Sequence, residues 1–125
     1  MRTHSFDIPI FNFKVNLIQI EDKKDLSSLE KHKWLKNMED ADKEEIFTKI
    51  KNENYDGGTT FRNFPSQEFL VIFYKFSSEE TKVNVYAHEK RHIEDRLMQY
   101  LEINDIETAG YLAGFLAVEF NKLTK

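Results

Sequence analysis

Residues 77–101 read Ser-Ser-Glu-Glu-Thr-Lys-Val-Asn-Val-Tyr-Ala-His-Glu-Lys-Arg-His-Ile-Glu-Asp-Arg-Leu-Met-Gln-Tyr-Leu, and the arrangement of the rest of the chain follows from how they fold. Ser77, with Glu80 three residues on, forms a capping box and predicts a helix from there through about Leu101. Tyr86, Ile93, Leu97 and Tyr100 make an apolar stripe, while His88, His92 and Asp95 lie on a different side. One face packs on a core and the other presents polar groups.

His88 and His92 are four residues apart, so both imidazoles leave one face of the helix about one turn apart. Two neutral imidazoles at that spacing can hold one Zn²⁺ at about 2.0–2.1 Å. Glu89 sits roughly 100° round the helix from His88, where it can reach a metal-bound water without ligating the metal. Zinc lowers the pKa of such a water toward neutrality, and an adjacent carboxylate can take and return its proton. His-Glu-x-x-His arises by chance in about one sequence of this composition in a hundred, so its weight depends on what surrounds it.

Working outward, residues Phe69 to Tyr74 and Thr59 to Phe61 are β-rich runs around Asn63-Phe64-Pro65-Ser66, and predict a strand pair. Asp56-Gly57-Gly58 before them is the sharpest turn signal in the chain. Residues Phe6 to Ile20 alternate in part and predict one long strand with a bulge near Pro9-Ile10-Phe11. Between them, Asp25 to Asn54 predicts one or two amphipathic helices. Asn104-Asp105 punctuates, and a last helix is expected from about Asp105 to Leu123. The order strand, helix, strands, helix, helix predicts a small α+β domain. Phe11, Phe13, Phe69 and Phe73 are its expected core aromatics.

The chain has 125 residues, enough for a single domain spanning 1–125. Its formal charge of −4, with both signs interspersed, gives no reason to expect nucleic acid as a partner. There is no cysteine, so a metal must be held by His and carboxylate ligands. Residues 1–10 lack the apolar run of a signal peptide, and the longest apolar stretch, Gly110 to Val118, is too short for a bilayer span. A soluble, cytoplasmic protein without a membrane partner is expected.

A catalytic zinc site needs a third ligand and an open fourth position. The metzincin pattern is excluded, because its Gly and third His are replaced by Asp95 and Met98. His4 and His32 have no supporting pattern and read as surface or capping residues. Glu107, in the first turn of the last helix, is the best candidate, with Gly110, Ala113 and Gly114 permitting close approach of that helix to the His88 helix. Glu107 also reads as an acidic residue favoured at a helix N-terminus. Asp95 can orient a ligand imidazole by accepting its second ring N–H, replace Glu107 as ligand, or pair with Arg91. Tyr111 reads either as a stabiliser of a developing oxyanion or as a packing residue. Gly58, Thr59 and Thr60 read as an edge strand able to bind an extended peptide, or as a turn and a structural strand.

His88-Glu-Lys-Arg-His92 followed by Ile106-Glu107-Thr-Ala109-Gly-Tyr111-Leu-Ala113 resembles the minimal HExxH proteins of phages and integrated mobile elements, where a motif similar to E-x-A-x-Y-L-x-G follows the HExxH helix. More distantly it is similar to the ImmA/IrrE-type gluzincin peptidases. The resemblance implies a minimal zincin-like domain, with a small antiparallel or mixed sheet packed on the HExxH helix and a C-terminal helix. It implies Zn²⁺ on His88, His92 and Glu107, Glu89 as general base, and a peptide or protein substrate. Zincin helices carry uncharged residues where this chain has Lys90 and Arg91, which predicts that this part of the helix is solvent-exposed or covered by a partner. The expected function is a zinc-dependent metallohydrolase, a peptidase. The alternative is a non-catalytic interaction protein of a phage or mobile element with a structural or vestigial metal site.

Overall fold

The alternation in residues 2–19 resolves into a hairpin. In the computed structural model, which describes residues 1–123, β1 (Arg2–Ile8) and β2 (Phe13–Gln19) pair antiparallel, with Phe6 opposite Val15 and Ile8 opposite Phe13. The single long strand expected over residues 6–20 is corrected here. The apolar positions change phase between Ile8 and Phe11, and a reversal produces that shift as readily as a bulge does. Pro9 cannot donate to a ladder, and Ile10 and Asn12 take φ values of 74° and 59°, which turn the chain back.

Three short helices follow: α1 (Asp25–Glu30), α2 (Lys33–Lys36) and α3 (Asp40–Lys51). The sequence reading expected one or two. His32 divides the first pair by capping α2, its Nδ1 accepting from the Trp34 N–H at 3.2 Å. β3 (Gly58–Asn63) and β4 (Glu68–Phe73) then form the expected antiparallel pair. β4 inserts parallel beside β2, giving the order β1-β2-β4-β3 and leaving β3 as an edge. The chain ends on α4 (Glu79–Tyr100) and α5 (Ile106–Lys122).

The sheet is covered on both faces. Phe13, Val15, Leu17, Phe69, Val71 and Phe73 meet Tyr86, Ile93 and Leu97 of α4 and Leu112, Leu116 and Phe120 of α5. On the reverse face Ile18, Leu70 and Ile72 meet Leu29, Leu35, Ile46 and Ile50 of α1 to α3. The domain is α+β with a small mixed sheet. Among the described residues, no helix is long and apolar enough to cross a membrane.

Candidate metal centre

The helix cap lies one residue later than the capping box predicts. Ser78 accepts from the Thr81 N–H at 3.1 Å, while the Ser77 hydroxyl is bound to Asp56. From that start, Tyr86, Ile93 and Leu97 face the core. At 100° per residue, Val85, Glu89, His92 and Arg96 form the neighbouring stripe, which lies along β3. Val83, Tyr86, Ala87 and Lys90 form the opposite flank, against Ala117, Phe120 and Asn121 of α5.

Where α4 crosses β3 the two backbones come close. An added Cβ at Gly58 would stand 2.9 Å from Glu89 Cγ, 3.2 Å from Phe73 Cδ1 and 3.3 Å from Val85 Cγ1. Thr60, two residues on and on the same face of the sheet, donates its hydroxyl to Glu89 Oε2 at 2.6 Å. Glu89 is therefore a buried carboxylate, 3% exposed, held by one neutral donor. Beside it the Nε2 atoms of His88 and His92 lie 3.0 Å apart with their rings nearly perpendicular. Two ligands at zinc distance in a tetrahedral arrangement stand about 3.3 Å apart, so the imidazoles need to part by only a few tenths of an ångström. A ligand atom from each of His88, Glu89 and His92 lies within 4.8 Å of the others. The two imidazoles are donors suited to zinc, and among the described residues the one carboxylate grouped with them is Glu89, so no third protein ligand besides Glu89 is in the group.

The structure does not bring Glu107 to this group. The connection at 101–105 does fold α5 back along α4, as expected, but reversal sets the first turn of α5 beside the end of α4. The part of α5 level with His88 is Ala117 to Asn121. It also lies on the flank facing away from His88. Glu107 is exposed and lines a surface groove with Ile10, Phe11, Ile103, Thr108 and Tyr111. Tyr111, 47% exposed and stacked on Phe115, sits there too, remote from the imidazoles. Gly110 and Gly114 face open space and mediate no close helix approach.

Asp95 pairs with Arg91 at 3.0 Å, and Lys90 pairs with the largely buried Glu94 at 2.8 Å. Both pairs are i,i+4 along the helix. The charges between the two His are accommodated in this way: Arg91 is exposed, and Lys90 turns toward the α5 flank. Of the strand residues read as substrate-binding, Gly58 and Thr60 point at α4 and Thr59 points to the reverse face, opposite Ile72 in register. Thr60 holds the Glu89 carboxylate. His4 bonds Glu119 at 3.0 Å and stays outside the centre.

Arg96 was not singled out from sequence. It lies one turn beyond His92 and donates to the Thr60 carbonyl at 3.3 Å. Partial burial, then the charge of Arg62, hold its pKa below the ordinary value, while Glu89 opposes them. Its i+4 spacing from His92 is the signal that could have identified it.

No family model, curated protein or solved structure matches this chain.

Proposed function

We propose that this chain is a zinc-dependent hydrolase, a peptidase, with its metal on His88 and His92 and Glu89 as general base. The observation that carries the reading is the pair of Nε2 atoms 3.0 Å apart beside a buried carboxylate. The resemblance of the HExxH stretch to minimal gluzincin-like proteins supports it, and the small sheet under α4 is consistent with a zincin-like domain. When bound, zinc supplies a Lewis acid that brings a coordinated water toward neutral pKa. The chain's own residues do the rest. Thr60 occupies one oxygen of Glu89 and fixes the carboxylate, leaving the other free to accept a proton and return it to a leaving amine. His88 and His92 lie on the flank of α4 away from α5, and Glu89 between them packs on β3, whose far edge is open. An extended peptide can add to that edge.

Metal analysis and a peptide-cleavage assay on Glu89→Gln test the reading. The variant keeps zinc and loses cleavage if Glu89 is the base. Loss of zinc in Glu89→Gln would make Glu89 a ligand and remove the base.

One observation favours a second reading, a non-catalytic interaction module. Ile10 is 90% exposed on a backbone of φ 74°, beside the Phe11, Ile103 and Tyr111 groove. A β-branched residue held in that conformation and exposed to water is a candidate contact for another protein. Retention of every biological effect by His88→Ala, with loss in Ile10→Asp, would establish this reading over the hydrolase.

A further inference from the structure

β3 and α4 run side by side in the same direction. Gly58 meets Val85 and Glu89, Thr60 meets Glu89 and Arg96, and Phe64 stacks on Tyr100 with ring centroids 4.2 Å apart. Two guanidiniums stand along this seam beyond the imidazoles. Arg96 reaches the Thr60 carbonyl, and Arg62, on the same face of β3 as Thr60, lies over the Phe64 ring at 5.2 Å. Among the described residues, neither forms an ion pair with a carboxylate within 4.0 Å, although Asp and Glu outnumber Lys and Arg in the chain. The charge of Arg62 disfavours that of Arg96 more than the Glu89 carboxylate favours it, so a further anion between the two arginines lowers the free energy.

We infer that Arg62 and Arg96 form a carboxylate-binding subsite at the open edge of β3, which selects peptides with an acidic group near the reacting bond. The inference rests on the peptidase reading for its purpose, and on the two arginines for its chemistry. Guanidinium is the group suited to bidentate capture of a carboxylate. Arg96 lies one helical turn beyond His92, about 6 Å along the axis. Two residues of an added strand advance about 6.6 Å. The acidic group therefore belongs about two residues beyond the peptide position level with His92. The carboxylate can come from an Asp or Glu side chain or from a free C-terminus at that position. The net charge of −4 disfavours a polyanion such as nucleic acid as the occupant.

Peptide binding measured by fluorescence anisotropy, in EDTA and at low salt, tests the subsite without zinc or turnover. Three probes are used: a short extended peptide with one central Glu and an amidated C-terminus, its Gln counterpart, and the Gln peptide with a free C-terminal carboxylate. The Glu probe is expected to bind about ten-fold more tightly than the amidated Gln probe, with the advantage shrinking as salt is raised. If the free-acid Gln probe matches it, the subsite reads a chain terminus as well. Arg62→Gln, at an exposed position, reduces the preference, and Arg62→Gln with Arg96→Gln removes it while His88→Ala keeps it. Arg96→Lys, checked for an unchanged melting curve, retains part of it. Equal affinity of wild type for all three probes overturns the inference, as does a Glu preference surviving loss of both arginines. Acid preference without zinc binding leaves the subsite standing and removes the metal reading; zinc binding without acid preference does the reverse.

Discussion

A methyl group on residue 58 would press on Glu89, Phe73 and Val85 together, and two of those three contacts are in or beside the packed core. Gly58→Ala is expected to destabilise the fold by about 1–3 kcal/mol and to push Glu89 away from Thr60. The contrasting substitution is Gly114→Ala, on an exposed helix face with open space around it, which should stabilise by up to about 1 kcal/mol. Thermal melts of the two variants check both signs; a neutral Gly58→Ala would mean that β3 and α4 are not in close contact. At the turn, Ile10→Asn should gain up to about 1 kcal/mol, because Asn tolerates positive φ better than a β-branched residue does. Urea unfolding measures it. The members of the cluster were legible at this scale: His88, Glu89 and His92 follow from a spacing of four and the helix period. The partner of Glu89 was not, since a hydroxyl on a distant strand leaves no mark in the HExxH pattern.

Along an element, caps decide where a helix begins. Ser78→Ala should cost about 0.5–2 kcal/mol of stability, whereas Ser77→Ala leaves the cap of α4 in place; circular dichroism melts of the pair distinguish the two starts. The helix boundaries were read within a residue or two because Ser and Asp mark both N-termini, Ser78 for α4 and Asp105 for α5. The hairpin turn was missed for the opposite reason, since a phase shift in the alternation has two physical causes. The misplacement of Glu107 also belongs to this scale. A short connection sets helices antiparallel, and antiparallel helices bring the far end of α5, not its first turn, level with His88. Spacing along the chain carries no such information.

For the whole molecule, α5 is tied to the sheet by Glu119, which accepts from His4 at 3.0 Å and also pairs with Lys122. Partial burial pushes the Glu119 carboxyl up, but its hydrogen bonds to His4 and Lys122 outweigh this and hold it below the ordinary range. A depressed carboxyl contributes stability that is present above its unfolded value of about 4.3 and is lost as pH falls through the native one. Glu119→Gln should therefore lose less stability than wild type between neutral pH and about pH 3, measured by urea unfolding across that range. The α+β class was legible in the order of elements. The parallel pairing of β2 with β4 was not, because it joins strands some fifty residues apart through no local signal. The position of α4 over the edge strand depends on that pairing, and with it the contact of Glu89 with Gly58 and Thr60.

Calorimetric titration of the metal-free protein with zinc tests the metal centre most directly. About one zinc ion should bind per chain, with binding lost in His88→Ala and in His92→Ala and unchanged in Glu107→Ala. Absence of zinc binding in the wild type, or its loss in Glu107→Ala, would contradict the account.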